Sequence, residues 1–171
     1  MFPHEHFTIV TALDPDAVRQ RLSTVVEPPK TFRWQWGNPD KPYQGEIGDR
    51  SFKISRIIHY RNSFLPVIDG RIEPNGTGSK ISINMKLHPF VLVFMLVWLS
   101  MVGQIPAMFL MGILFALFTD QKEQVPIDSE SYLFLLFPLG MFVFGCGLPL
   151  IGFWPEARKS KAFLIDLLEK L

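Results

Sequence analysis

Two long runs without a formal charge constrain this chain more than any other feature of its sequence. The first covers the 29 residues from Phe90 to Phe118, and the second covers the 23 residues from Tyr132 to Trp154. An α-helix rises about 1.5 Å per residue, so about 20 apolar residues cross the roughly 30 Å hydrocarbon core of a bilayer. Each run therefore predicts one membrane-spanning helix, and we expect an integral membrane protein.

The charges around the two runs predict their orientation. The loop 119–131 between them carries one lysine against four carboxylates, a net charge of −3. Basic residues flank the outer ends of the runs, namely Lys80, Lys86, Arg158, Lys159 and Lys161. By the positive-inside rule, the short acidic loop is predicted to be extracytoplasmic and both termini cytoplasmic.

Composition limits the classes of binding partner and the cellular compartment that we expect for this protein. Lys and Arg total 17 against 16 Asp and Glu, so the chain lacks the basic field of a nucleic-acid binder, and nucleic acid is excluded as a partner. Cys146 is the single cysteine, which predicts no internal disulfide. The N-terminus lacks a basic segment followed by an apolar one, so no cleaved signal peptide is predicted. We expect a membrane protein surrounded by lipid, with its soluble part in a reducing compartment.

The first 89 residues have the pattern of a separate α+β domain. A β-prone run, Phe7–Ala12, precedes a helix start with Asp14 as N-cap and Pro15 at the first helical position. An apolar stripe at helical spacing follows, formed by Val18, Leu22 and Val25. This pattern predicts one strand and one short helix.

Alternation of apolar and polar residues then predicts several strands. It is clearest over residues 51–58 and 80–87 and weaker over 32–36, 44–47 and 64–73. Turn signals rich in Gly, Asn, Asp and Pro separate these segments. The prediction is an antiparallel meander of about five strands.

Residues 155–171 predict a long C-terminal helix. Its apolar stripe consists of Phe163, Leu164, Leu167, Leu168 and Leu171. The stripe could pack on the sheet, or the helix could lie in the membrane interface with its basic residues toward anionic headgroups. We favour the sheet, because a sheet covered by one short helix would leave apolar area exposed.

The predicted fold class is therefore α+β: an antiparallel meander, a short N-terminal helix and a long C-terminal helix, with an inserted transmembrane hairpin. The segments are a cytoplasmic domain, a first span, an acidic loop, a second span and a cytoplasmic amphipathic helix, at residues 1–89, 90–118, 119–131, 132–154 and 155–171. In element order, the soluble part resembles a START-like or Bet v 1-like helix-grip domain.

A second resemblance covers residues 44–98. The residues that carry it are Gly45, Phe52, Arg56, the stretch 60–66 (YRNSFLP), Gly70, Thr77-Gly78 and Leu87-His88-Pro89. This stretch resembles a group of uncharacterised bacterial membrane proteins with two spans. The resemblance implies this topology in a bacterial inner membrane, and it implies no chemistry.

Five polar residues crowd the end of the predicted strand 51–58 and the turn after it: Arg56, His59, Tyr60, Arg61 and Asn62. Their donors could hold a phosphate or a lipid headgroup, although a solvated turn explains the same residues. Arg56 falls on the apolar side of the alternation, where its charge needs a partner. Asp69 and Glu46, on neighbouring strands, are the predicted partners.

No catalytic or metal-binding motif accompanies this cluster. The four histidines, His4, His6, His59 and His88, are joined by no cysteine, so no metal site is predicted. Phosphate-loop, HExxH and GxSxG patterns are missing, so we predict no catalytic residue and no cofactor. Neither span contains a charge, which argues against a transport path.

Small residues in the spans predict where helices pack. The predicted packing positions are Gly103, Ala107, Gly140 and Gly145. Gln104 is the most polar residue deep in the first span. Together these features predict a non-enzymatic subunit or scaffold of a membrane complex, bound to another membrane protein or to its own copies. The alternatives are lipid or apolar-ligand binding in a helix-grip cavity, and a membrane-bound enzyme that uses Arg56 and His59.

Overall fold

The structure, a computed structural model, describes residues 3–29, 40–119 and 129–169. Within these ranges it has a six-stranded mixed sheet and three helices, which makes the fold α+β. The chain divides into two compact units. The first, here called the sheet unit, comprises Met1–His88 with Leu150–Leu171, and the second, the helical unit, comprises Pro89–Pro149.

The sheet has the order β1-β6-β5-β4-β3-β2. Its strands are β1 His4–Thr11, β2 Val26–Glu27, β3 Tyr43–Ile47, β4 Ser51–Arg56, β5 Val67–Asn75 and β6 Gly78–Lys86. The two segments with the clearest alternation are present as β4 and β6. The first strand pairs with the last, with Phe7 opposite Ile83 and Ile9 opposite Ile81. Gly76, with φ of 62°, occupies the tight turn between β5 and β6 in a conformation that favours glycine.

The prediction of a purely antiparallel sheet is wrong at one edge. Strand β2 pairs with β3 in parallel, with Val26 opposite Tyr43. The 15 residues that separate Glu27 from Tyr43 are long enough for the crossover that parallel strands need. A two-residue strand is too short to show alternation. The strand predicted at residues 32–36 lies outside the described residues.

Helix α1, Pro15–Val25, begins as predicted. The Asp14 carboxylate accepts a hydrogen bond from the Ala17 backbone N–H at 2.7 Å, which caps the first turn. Val18 and Leu22 are buried in the same core as the sheet. The helix ends directly at β2.

The C-terminal part of helix α3 also packs on the sheet. Leu164 and Leu168 are fully buried in the core, and Phe163 packs on Tyr43 with ring centroids 5.2 Å apart. The Thr11 hydroxyl donates to the Leu168 carbonyl at 2.7 Å. The apolar stripe therefore faces protein; its last member, Leu171, lies outside the described residues.

Helix α3 runs without a break from Ser129 to Glu169. The sequence predicts two helices that meet at residue 155. Proline inside a helix removes one hydrogen bond and its ring crowds the preceding turn, so other contacts must offset this cost. Phe153 and Ala157 lie on either side of Pro155, and both are fully buried in the same core. Packing on both sides of the proline holds the two halves in one helix.

The helical unit consists of α2, Pro89–Phe118, and the part of α3 up to Pro149. Within the described residues, two helices are long and apolar enough to cross a membrane, and they include Pro89–Phe115 and Leu136–Glu169. In the most apolar 18-residue stretch of each helix, only 6% and 22% is buried, whereas the core helix of a soluble protein is mostly buried. Large side chains such as Phe90 and Met108 are more than 70% exposed.

Two of the four predicted packing positions lie between α2 and α3. A Cβ atom at Gly145 would lie 2.2 Å from the Trp98 ring, and one at Gly103 would lie 2.9 Å from the Phe142 ring. Ala107 is exposed, and a Cβ atom at Gly140 would meet no described atom within 4 Å. Glycine is thus required for close helix approach at Gly145 and Gly103 but not at Gly140.

We expect Gly145→Ala to destabilise the hairpin by about 1–3 kcal/mol, because its methyl group would overlap the Trp98 ring. Gly140→Ala is the matched control and should be neutral or slightly stabilising, since alanine is the better helix former. Thermal unfolding of both variants in detergent measures the difference. Equal effects of the two substitutions would contradict this packing.

Candidate functional site

A buried carboxylate joins the C-terminal part of helix α3 to the end of strand β4. The side chain of Glu156 is 2% exposed and accepts three hydrogen bonds. Arg56 Nη1 lies 2.7 Å from its Oε2, while the Tyr60 hydroxyl and Lys159 Nζ lie 2.7 and 2.8 Å from its Oε1. All four residues belong to the sheet unit.

The local sequence explains this geometry. Arg56 is the last residue of β4 and lies on the core side of the sheet, as the alternation predicts, but its partner is neither Asp69 nor Glu46. Both of those residues lie opposite Lys53 in the strand register and therefore point to the other face of the sheet. Asp69 instead pairs with Lys86, at 2.6 Å.

Glu156 and Lys159 are the residues of this cluster that the sequence-based interpretation missed. The Pro155-Glu156 pair is typical of the start of a helix, and that pattern alone gives Glu156 no further role. Counted back from the apolar stripe, however, Glu156 stands eight residues before Leu164, which places it on the buried side of the helix. A carboxylate on a buried face predicts a basic partner, and Arg56 was the residue in need of one.

The hydrogen bonds shift two pKa values. Burial raises the pKa of Glu156, but the hydrogen bonds from Lys159 and Tyr60 and the charge of Arg56 outweigh burial and hold that pKa below its ordinary value. The hydrogen bond from the Tyr60 hydroxyl to Glu156 raises the pKa of Tyr60. Glu156 is therefore an anion, and Tyr60 a neutral donor, at neutral pH.

Asn62 makes a second connection to the same helix. Its Nδ2 donates to the Gly152 carbonyl at 2.8 Å, and its Oδ1 accepts from the Phe64 backbone N–H at 3.0 Å. A Cβ atom at Gly152 would lie within 3 Å of both Asn62 and Phe64. The turn after β4 therefore packs directly on the backbone of α3.

The predicted cluster thus separates into two groups. Arg56, Tyr60 and Asn62 turn toward helix α3 and bind it. His59 and Arg61 are exposed, and within the described residues neither makes a side-chain hydrogen bond or ion pair. The arrangement holds two elements of the fold together, and the carboxylate at its centre is already occupied by three donors.

Neither a metal site in the described residues nor a similarity to a known protein assigns a function to this cluster. In the described ranges, no group of three His, Cys, Asp or Glu side chains is placed to hold a metal ion. No family model, curated protein or solved structure matches the chain.

The Glu156 cluster predicts a pH dependence. Because the folded-state pKa of Glu156 lies below its ordinary value of 4.5, its contribution to stability is complete above that pH and is lost as the pH falls through the folded-state pKa. Unfolding of the wild type and of Glu156→Gln, compared between about pH 3 and pH 7, checks this. The stability difference between the two should shrink in acid, and a constant difference would argue against an ionised Glu156.

Proposed function

We propose that the chain is a non-enzymatic integral membrane protein whose sheet unit is a cytoplasmic binding module, acting as a subunit or scaffold of a membrane protein complex. The observation that carries this proposal is the closed core of the sheet unit. The side chains between the sheet and helix α3 form one cluster, in which Phe52, Ile54, Ile81, Ile83, Leu164 and Leu168 are each 3% exposed or less.

The closed core favours a scaffold over a ligand carrier. The strand order, with the first strand beside the last and a C-terminal helix across the sheet, supports a helix-grip-like arrangement. A lipid carrier of that kind needs room between the sheet and the helix. Phe163 and Leu167, which face this region, instead pack against the core cluster.

The Glu156 cluster supports a non-catalytic role. A general acid or base must be able to exchange a proton with a substrate. Glu156 is buried and accepts hydrogen bonds from Arg56, Tyr60 and Lys159, so its hydrogen bonds serve the attachment of the helix. His59 remains exposed, without a partner among the described residues that would orient it.

Exposed apolar side chains on both helices support the membrane part of the proposal. Water would make their exposure unfavourable, whereas lipid would not. The orientation rests on the basic residues outside the hairpin and the acidic segment within it. In this proposal the sheet unit and residues 155–171 are cytoplasmic and the membrane is the bacterial inner membrane.

Cysteine labelling tests the membrane topology. In a Cys146→Ser background, single cysteines replace Asp49 in the sheet unit and Thr119 at the end of α2, both of which are exposed. A membrane-impermeant maleimide should label Thr119→Cys in intact spheroplasts and Asp49→Cys only after lysis. Labelling of Asp49→Cys in intact spheroplasts would overturn the proposed orientation.

Organic extraction tests the scaffold against the ligand carrier. The full chain is purified in mild detergent, extracted, and its small molecules are quantified by mass spectrometry. We expect no apolar molecule in a one-to-one ratio with the protein, because the core is filled by its own side chains. A stoichiometric apolar molecule, lost in a variant that fills the core further such as Ile83→Phe, would establish the ligand carrier instead.

A further inference from the structure

Gln104 occupies an unusual position in the helical unit. It is the sixteenth of the 30 residues of α2, so about 22 Å of helix precede it and about 21 Å follow it. The residue is exposed, and within the described part of the chain its amide makes no hydrogen bond. If α2 crosses the membrane, as proposed above, this amide lies near the middle of the hydrocarbon core, where an unsatisfied polar group is costly.

The Gln104 amide faces away from helix α3, so α3 does not supply its hydrogen-bond partner. Helix α2 approaches α3 through Trp98, Leu99 and Gly103, which lie close to Gly145 and Phe142. At 100° per residue, Gln104 points to the opposite side of α2 from the centre of this contact. Among the described residues, a partner for its amide must therefore come from outside the hairpin.

The residues around Gln104 form a regular seam. The seam is a row of exposed residues on α2 that are spaced alternately by three and four positions: Val97, Ser100, Gln104, Ala107, Met111 and Leu114. This spacing is that of a left-handed helix pair, in which a single polar residue at a core position sets the register. Ser100 and Ala107 flank Gln104 with small side chains, which let a second helix backbone approach closely.

We infer that this seam is an interface between two copies of the chain, paired through Gln104. Two copies inserted in the same orientation place α2 in parallel, so a two-fold axis along the membrane normal brings each Gln104 to the depth of the other. A carboxamide contains both a hydrogen-bond acceptor and donors, so each Gln104 can satisfy its counterpart. A different partner would need its own polar group at the same depth, whereas a second copy has one by symmetry. The inference names the partner of the membrane complex and rests on the proposed membrane insertion.

Oxidative crosslinking in native membranes tests the inference. Ala107→Cys and Ile105→Cys are compared in the Cys146→Ser background, so that Gln104 stays intact in both. Ala107 belongs to the seam, whereas Ile105, also exposed at 42%, lies about 160° away around the same helix. We expect a crosslinked dimer of this chain for Ala107→Cys, and several-fold less for Ile105→Cys. Equal crosslinking at both positions, no crosslinking at Ala107→Cys, or crosslinking to a different polypeptide would overturn the inference.

A second variant tests the role of the amide itself. Gln104→Leu should weaken self-association, measured by energy transfer between labelled chains in vesicles, by about 3- to 30-fold, the range for hydrogen bonds between membrane helices. Gln104→Asn should lose less, because it keeps the amide. Unchanged association in Gln104→Leu would overturn the inference. Recovery of the chains outside the membrane fraction would instead contradict the proposed membrane insertion. Failure of the dimer and failure of the proposed function are therefore distinguishable.

Discussion

Replacing Leu164 by alanine is expected to destabilise the sheet unit by about 2–5 kcal/mol. Leu164 is fully buried in the cluster that joins helix α3 to the sheet. The substitution removes the contacts of its side chain and leaves a cavity that the surrounding strands fill only in part. Chemical unfolding of the full chain in detergent, followed by tryptophan fluorescence, measures the loss.

The matched control for Leu164→Ala is Val10→Ala. Val10 is an apolar residue of the same unit, but it is 60% exposed on strand β1, so its substitution should change stability by less than about 0.5 kcal/mol. A small effect of Leu164→Ala, similar to that of Val10→Ala, would mean that the C-terminal part of α3 does not close the core. The ligand-carrier alternative would then regain its main support.

Replacing Glu156 by alanine is expected to destabilise the same unit by about 2–3 kcal/mol. Removal of one partner from a buried ion pair costs about 3–5 kcal/mol when the remaining charge stays buried. Arg56 and Lys159 are 32% and 58% exposed, so both can regain water and the cost is lower. The same unfolding experiment measures this variant.

The exposed ion pair between Arg19 and Asp49 provides the control for Glu156→Ala. Its partners are 3.1 Å apart but 49% and 93% exposed, so Asp49→Ala should cost less than about 1 kcal/mol. If Glu156→Ala were as mild as Asp49→Ala, the Glu156 cluster would not be what attaches the helix. The end of β4 and the turn after it, with Arg56 and Tyr60, would then be open to a ligand.

Local patterns in the sequence predicted most of the architecture. Period-two alternation identified β4 and β6, and the Asp14-Pro15 pair identified the start of α1, because each of these signals lies within a few neighbouring residues. The charge-free runs identified α2 and the first part of α3. A two-residue strand such as β2 has no period of its own, so alternation could not identify it or its parallel pairing with β3.

The candidate site was predicted only in part, because local patterns do not show contacts between residues that are distant in the chain. An inward-facing Arg56 follows from alternation along one strand. Its partner Glu156 stands 100 residues further along the chain, and only the tertiary packing of α3 brings the two together. The sequence predicts that a new helix opens at residue 155, whereas burial of Phe153 and Ala157 on either side keeps α3 continuous and places Glu156 at the end of β4.

Native mass spectrometry of the full-length protein, released gently from membranes, tests the central claim most directly. The chain has a mass of 19.6 kDa, and the measurement records every mass that accompanies it. A subunit or scaffold should appear as a defined multimer or together with a second polypeptide, with no small molecule held in the core. A monomer that carries one apolar molecule per chain would contradict the account and identify the sheet unit as a ligand carrier.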